Sequence, residues 1–205
     1  MALDGTYSGL KDSIAAFLHR TDLTSTIPDL VVLAEERIAR DLRLRSQVVA
    51  ATLATTAGAQ AANLPSGWLE FENVTLTGNP DTQLTYVNIQ HLDTKYPGNS
   101  YTGQPVVYSI EGSQILFGPT PDSVYSVPVL YYKRFDPLAT TPTNWLLSNH
   151  PSIYLFATLA EAAPYTIDDN RATMWEAKYA KAVQDLQDSD TSGQFSGSAL
   201  RVKAI

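Results

Sequence analysis

The apolar residues of the first forty positions repeat twice with the period of an amphipathic helix. Thr6 stands where an N-terminal cap is expected, just before the first repeat. That repeat places on one stripe Tyr7, Leu10, Ile14, Phe17 and Leu18. A polar connector covers residues 21–26, and Pro28 suits the first turn of a second helix. The face of the second helix consists of Leu30, Ala34, Ile38 and Leu42. The pattern predicts a helical hairpin.

From about Val48 the pattern changes to the alternation that is typical of β-strands. The predicted strands cover residues 48–53, 68–74, 83–87, 106–110, 114–117 and 125–132. A turn at Glu111-Gly112-Ser113 joins two of them into a hairpin, and Pro128 suggests that the last is an edge strand. Short strands separated by Gly and Pro favour a small antiparallel sandwich or barrel.

Helical patterns return near His150-Pro151 and continue to about Asp188. Their apolar positions are Ile153, Phe156, Ala157 and Ala160, then Trp175, Tyr179, Ala182 and Leu186. The helices at the two ends should pack together, because neither pair could bury its apolar stripe alone. The predicted fold class is therefore α+β. Its parts are a discontinuous helical domain (1–47 and 145–188), an inserted antiparallel β domain (48–144) and an extended C-terminal arm (189–205).

The last six residues, Leu200 to Ile205, combine apolar and cationic side chains in an alternating pattern, after a stretch rich in Gly and Ser. Fixing six residues costs roughly 6–12 kcal/mol of backbone entropy. Burying Leu200, Val202 and Ile205 returns about 5–9 kcal/mol. Alone, the segment should stay loose, as chain ends commonly do. Against the sheet edge or groove of a partner, backbone hydrogen bonds could tip the balance toward an ordered strand.

Composition limits the function classes. The 205 residues are 44% hydrophobic and 17% charged, as in globular proteins. The absence of cysteine excludes disulfides, thiol chemistry and zinc sites built on sulfur. Without a basic leader or a long apolar run, the chain is expected to be made and kept in a cytoplasm.

The charge is unevenly distributed. Residues 46–132 carry a single base, Lys95, and six acids, so they are poorly suited to binding nucleic-acid phosphates. Four arginines, in contrast, concentrate in one segment: Arg37, Arg40, Arg43 and Arg45. They could form a basic patch for an acidic partner. A solvated helix face is favoured, since the pairs Glu36–Arg40 and Arg37–Asp41 have stabilising spacing.

No motif in the chain supports catalysis. Three histidines lie far apart without metal-ligand spacing: His19, which is expected to end a helix, His91 and His150. Glu70 and Glu72 share one strand face, where repulsion between two carboxylates could keep one of them protonated. A protonated carboxyl group is what the general acid of a glycosidase requires. However, paired catalytic carboxylates usually approach a substrate from opposite sides, so an exposed polar face explains both better. We expect no enzyme activity, no cofactor and no metal.

Two blocks carry a family resemblance: Asn144-Trp145-Leu146-Leu147, and Ala34 to Leu42 with its pattern Ala-Glu-x-Arg-Ile-x-Arg-Asp-Leu. Weaker support comes from residues 22–28, 63–65, 118–121 and 148–164. With these segments, the chain resembles the head-to-tail adaptor proteins of short-tailed bacteriophages from about Tyr7 to Asp188.

The resemblance implies a virion protein at the head–tail interface, in a dodecameric ring below the portal protein, with a helical part, a β part and no catalysis. The tail nozzle protein docks on the opposite side, and DNA passes through the channel without sequence-specific binding. The C-terminal tails of such proteins extend onto the portal. By position and character, this role falls on Leu200, Arg201, Val202, Lys203 and Ile205.

Two other function classes stay open. The tyrosine-rich loop 95–101 suggests a carbohydrate- or receptor-binding β module of a phage tail. A wall-degrading enzyme would use Glu70 or Glu72, and its activity would be lost on substitution to Gln.

Overall fold

The computed structural model describes residues 3–20, 22–78, 80–166 and 169–195. The chain divides after Ser46 and after Arg134 into two compact units. The first and last segments form the helical unit, and Gln47–Arg134 form the β unit. Each unit has its own apolar core.

The described helices are α1 (Tyr7–Leu18), α2 (Ile27–Asp41), α3 (Ile89–Lys95), α4 (Trp145–Asn149), α5 (Pro151–Thr166) and α6 (Asp169–Phe195). Single 3-10 turns occupy Arg45–Gln47 and Gly98–Ser100. The predicted cap of α1 is confirmed, since Thr6 Oγ1 accepts a hydrogen bond from the Gly9 N–H at 3.1 Å. His19 ends α1 in the left-handed region at φ 53°, so its predicted place at a helix end is confirmed as well.

The core of the helical unit forms where α5 packs against its neighbours. Helix α5 contacts α1, α2, α4 and α6, and its Tyr154 is almost fully buried. From the predicted hairpin, Leu10, Ile14, Ala34 and Ile38 join this core. Burying each large side chain of this kind contributes about 1.5–3 kcal/mol, so the amphipathic pattern explains why these helices associate.

The described strands are β1 (Val48–Ala54), β2 (Ala61–Asn63), β3 (Trp68–Leu76), β4 (Thr82–Gln83), β5 (Thr85–Tyr86), β6 (Thr102–Gly103), β7 (Val107–Glu111), β8 (Gln114–Gly118), β9 (Thr120–Pro121) and β10 (Ser126–Lys133). One sheet has the order β1-β10-β3-β4, a second β2-β8-β7-β5, and β6 pairs with β9. Pairing is antiparallel except for the parallel pairs β5–β7 and β6–β9.

The β core draws on both four-stranded sheets. Val74 and Val129 come from the first sheet, and Ile115 and Phe117 from the second. The predicted hairpin is confirmed as β7–β8, with Gly112 at φ 58° in its turn. The α+β class fits the structure, but no closed barrel is found among the described strands.

The expectation that Pro128 marks an edge strand is wrong, because β10 lies between β1 and β3. The Ser126 carbonyl accepts a hydrogen bond from the Thr77 N–H, on the side of β10 away from β1. Because every second residue of a strand directs its backbone groups to the same side, Ser126, Pro128 and Leu130 all direct theirs away from β1. Pro128 occupies such a position, and its carbonyl accepts from the Thr75 hydroxyl at 3.1 Å. The edge strands of this sheet are β1 and β4.

Residues 135–144, which the sequence pattern places with the β domain, belong to the helical unit. The Phe135 ring stacks on Trp145, with centroids 6.3 Å apart. Leu138 is buried in the helical core, and its N–H donates to the carboxylate of the buried Glu35 at 2.7 Å. The bond between Leu138 and Glu35 joins residues 103 positions apart, which no local pattern reveals.

The predicted extended arm starts too early, since α6 continues to Phe195 and residues 189–195 are helical. Contacts of Asp190 with Arg45 explain part of this extension. The rest of the predicted arm, residues 196–205, lies outside the described residues. Within the part of the chain that the structure describes, no helix has the length and apolarity that a bilayer span requires.

Candidate functional site

Arg37 lies at the centre of a cluster of charged groups in the helical unit. From α2, its Nη1 atom is 2.9 Å from a Glu176 carboxylate oxygen of α6 and 3.3 Å from Glu161 Oε1 of α5. Its Nε atom pairs with Asp41 at 3.6 Å, one turn along α2. The guanidinium also lies 4.4 Å from the centre of the Tyr179 ring, whose hydroxyl donates to Asp41 at 2.8 Å. The cluster therefore joins three helices.

This cluster shifts the acidity of its members. The hydrogen bond to Glu176 raises the pKa of Arg37 above its ordinary value, so the guanidinium stays charged. Burial raises the pKa of Tyr179, and its hydrogen bond to Asp41 adds to the effect. The Arg37 side chain is only 18% exposed. The solvated-face interpretation is wrong for Arg37, whereas Arg40 is exposed.

The next two arginines also bind within the helical unit. Arg43 Nη1 donates to the Ala39 and Leu42 carbonyls at the end of α2, at 2.8 and 2.7 Å. Arg45 donates to Asp190 of α6 through both its backbone N–H and Nε, at 3.1 Å each. Three of the four arginines, Arg37, Arg43 and Arg45, therefore bind partners within the helical unit.

The second candidate site of the helical unit is the surface around an exposed tryptophan, Trp145. Trp145 is 43% exposed, yet its ring stacks on Phe135 and lies 5.5 Å from the His150 ring. Beside it, a groove of about 260 Å³ lies between α5 and α6. The groove is lined by His150, Ser152, Ile153, Ala182, Asp185, Leu186 and Ser189. A large aromatic ring held in one orientation is a common anchor in protein–protein contacts.

In the β unit, the outer face of the β1 sheet carries an uncharged groove of about 450 Å³. It is lined by Ala50, Ala51, Thr52, Asn73, Thr75, Pro128, Val129 and Leu130. The strand β1 beside it contains neither a charge nor a proline, and it pairs with β10 on one side only. Such an edge leaves backbone donors and acceptors open to another chain.

The opposite edge of the same sheet is built differently. Strand β3 carries the exposed Glu70 and Glu72, and its pairing with β10 has two register shifts. Strand β4 covers part of this edge with two residues. Charges, bulges and short strands are the usual means of protecting an edge from unwanted pairing. Glu70 and Glu72 are thus explained as an exposed strand face, and β1 is left as the unprotected edge.

The comparison with protein families decides the identity. A model described as SU10 adaptor protein matches residues 5–202, nearly the whole chain. The chain belongs to the SU10 adaptor protein family. A comparison with curated proteins gave no match. The family resemblance drawn from the sequence is confirmed: this is a phage adaptor protein and a component of the virion, which interacts with other phage head and tail proteins. An adaptor family suggests a structural, non-enzymatic role.

The remaining candidate residues of the adaptor lie on separate elements and form no common site among the described residues. His19 and His150 stand at helix ends, and His91 lies in α3. Among the described residues, no three His, Asp or Glu side chains are grouped to hold a metal ion. Tyr86 and Tyr101 are 59% and 56% exposed, whereas Tyr108 and Tyr131 are buried in the β core. The predicted portal-binding residues lie outside the described residues: Leu200, Arg201, Val202, Lys203 and Ile205.

Sequence patterns missed two features of the adaptor. The uncharged run of residues 48–53 predicts a strand, but only the strand order shows that it lies at an edge of the sheet. The contact between Arg45 and Asp190 joins residues 145 positions apart and leaves no local signal.

Proposed function

We propose that this adaptor forms a ring, dodecameric as the resemblance implies, between the portal protein and the tail nozzle. The observation that carries the proposal is the family match over residues 5–202. In this role the ring surrounds the channel through which DNA leaves the head. The acidity of residues 46–132 is compatible with that path, because a surface with one base and six acids does not retain phosphates.

A ring of identical subunits requires two different contact faces on each copy. The open edge of β1 supports a lateral contact with a neighbouring copy, since an uncharged edge strand can extend its hydrogen bonding to another chain. In the helical unit, Trp145 offers an aromatic anchor for such a contact.

The C-terminal residues Leu200, Arg201, Val202, Lys203 and Ile205 are proposed to bind the portal. Their alternation of apolar and cationic side chains suits a strand with one buried and one wet face. Backbone hydrogen bonds to the portal would offset the entropy lost on ordering.

Portal binding is tested with a chain that ends at Phe195, mixed with the portal protein of the same phage. We expect unchanged helix content by circular dichroism and loss of portal binding by light scattering. The matched pair L200A/V202A and R201Q/K203Q separates apolar from charged contributions, with the larger loss expected for the apolar pair. Undiminished portal affinity of the shortened chain would refute the assignment.

Ring formation is tested by electron microscopy and native mass spectrometry of the adaptor with portal. Thr52→Lys places a charge on the open edge strand β1, and Thr82→Lys places the same charge on β4 at the opposite edge. We expect T52K to reduce lateral association and T82K to leave it intact. Rings that tolerate both substitutions equally would remove β1 from the subunit contact.

The exposed rings of Tyr86 and Tyr101 support a second candidate function, that of a glycan-binding β module. Such a module binds glycan as an isolated subunit and loses that binding in the variant Y86A/Y101A. An adaptor is expected to show no glycan binding on an array while forming rings with portal.

A further inference from the structure

The end of α6 is helical although its sequence favours helix poorly. Leu186 is the last apolar side chain of α6 that is buried among the described side chains. The six residues from Asp188 to Gly193 are Asp, Ser, Asp, Thr, Ser and Gly, and all form helix less readily than alanine. Asp188 and Asp190 also lie near the negative end of the helix dipole. Neither local preference nor described apolar burial accounts for this helix end.

Polar contacts hold it instead. Asp190 accepts from the Arg45 backbone N–H and from Arg45 Nε, and Gln187 Nε2 donates to the Asp41 carbonyl at 3.0 Å. Gly193 allows the guanidinium to lie against the helix, because a Cβ at that position would collide with Arg45 Nη2. We call these contacts the Arg45 clasp.

The clasp is accessible to water. The Arg45 side chain is 50% exposed and that of Asp190 is 24% exposed. Ion pairs of this kind are weak and are screened by salt. Because the segment is the end of a long helix, it can open without disturbing the core contacts of Trp175, Tyr179 and Leu186.

We propose that residues 187–195 are a releasable part of the C-terminal arm. In the free adaptor they are helical and bound to Arg45, and they unwind when a partner protein engages the residues that follow. This inference rests on the proposed portal-binding role of the arm. Unwinding changes the rise from about 1.5 to about 3.4 Å per residue, so these residues add roughly 17 Å of reach.

Amide hydrogen exchange on the free adaptor tests the clasp without any partner. Asp190→Asn removes one charge of the ion pair, and we expect roughly fivefold faster exchange in residues 187–195, with residues 175–186 unchanged. Asp188→Asn is the matched control, because Asp188 makes its hydrogen bond to Gln184 within the same helix. Equal exchange in the two variants would overturn the clasp.

Portal binding tests the release. Partner binding that unwinds the segment must be strengthened by variants that open it and weakened by variants that favour helix. We therefore expect D190N to bind portal roughly fivefold more tightly, and the exposed double variant S189A/S192A to bind more weakly. If wild type binds but all three affinities are equal, unwinding on binding is refuted. If even wild type fails to bind, the proposed portal role fails and release by portal fails with it, whereas the exchange rates still decide the clasp.

Discussion

The two units of this adaptor use polar groups in different ways. In the helical unit, charged side chains join elements far apart in sequence, as Arg37 does with Glu161 and Glu176. In the β unit, hydrogen bonds of uncharged side chains join distant segments, as from the Thr55 hydroxyl to the Ser123 carbonyl and from the Gln114 amide to Asn63. The helical unit should therefore respond more strongly to salt and pH, and the β unit chiefly to changes in apolar packing.

The largest expected effect comes from the β core. Phe117→Ala removes a fully buried ring and should lower the free energy of unfolding by about 3–5 kcal/mol. Its counterpart in the helical unit is Leu146→Ala, with an expected loss of about 2–5 kcal/mol. Hydrogen exchange resolved by segment should place the first effect mainly in residues 47–134 and the second outside them. Equal loss of protection in both units would show that the two cores do not respond separately.

The next effect concerns charge. Arg37→Ala leaves Glu161 and Glu176 without their shared cation, and we expect a loss of about 2 kcal/mol in urea unfolding. Arg40→Ala, on the exposed face of the same helix, should change stability by less than about 0.5 kcal/mol. The cost of R37A should shrink in high salt. A cost equal to that of R40A would contradict a structural role for the cluster.

A smaller effect depends on pH. Tyr179→Phe removes the hydrogen bond to Asp41 and should cost about 1 kcal/mol near neutral pH. Burial raises the pKa of Tyr179 above its ordinary value of 10.0, so the folded state prefers the neutral phenol. Its contribution is complete below pH 10.0 and is lost as the pH rises above that value. Urea unfolding from neutral to alkaline pH should show wild type and Y179F converging, and parallel curves would contradict the assignment.

The smallest effect on stability is expected at the sheet edges. Thr52→Lys and Thr82→Lys both add a charge at an exposed position, and each should change the free energy of unfolding by less than about 0.5 kcal/mol. Thermal unfolding of the two variants checks this. A large loss of stability in T52K alone would mean that the open edge of β1 supports the fold itself. Reduced ring formation by T52K could then not be attributed to the subunit contact.

Local patterns in the sequence determined the features that depend on neighbours along the chain. The stripe with Leu10 and Ile14 predicts α1, Thr6 predicts its cap, and Gly112 predicts the turn of the β7–β8 hairpin. Each follows from a period or a backbone preference within a few residues. The adaptor blocks at 34–42 and 144–147 pointed to the family in the same way.

Only the tertiary structure decided which elements become neighbours. Pro128 lies in a central strand because β1 and β3 flank β10, and Arg37 meets partners 124 and 139 positions away. The end of α6 is helical because Asp190 reaches Arg45, against the preference of its own residues. The physical reason is that periodicity fixes which face of an element is apolar, whereas the partner of that face depends on contacts that no local window contains.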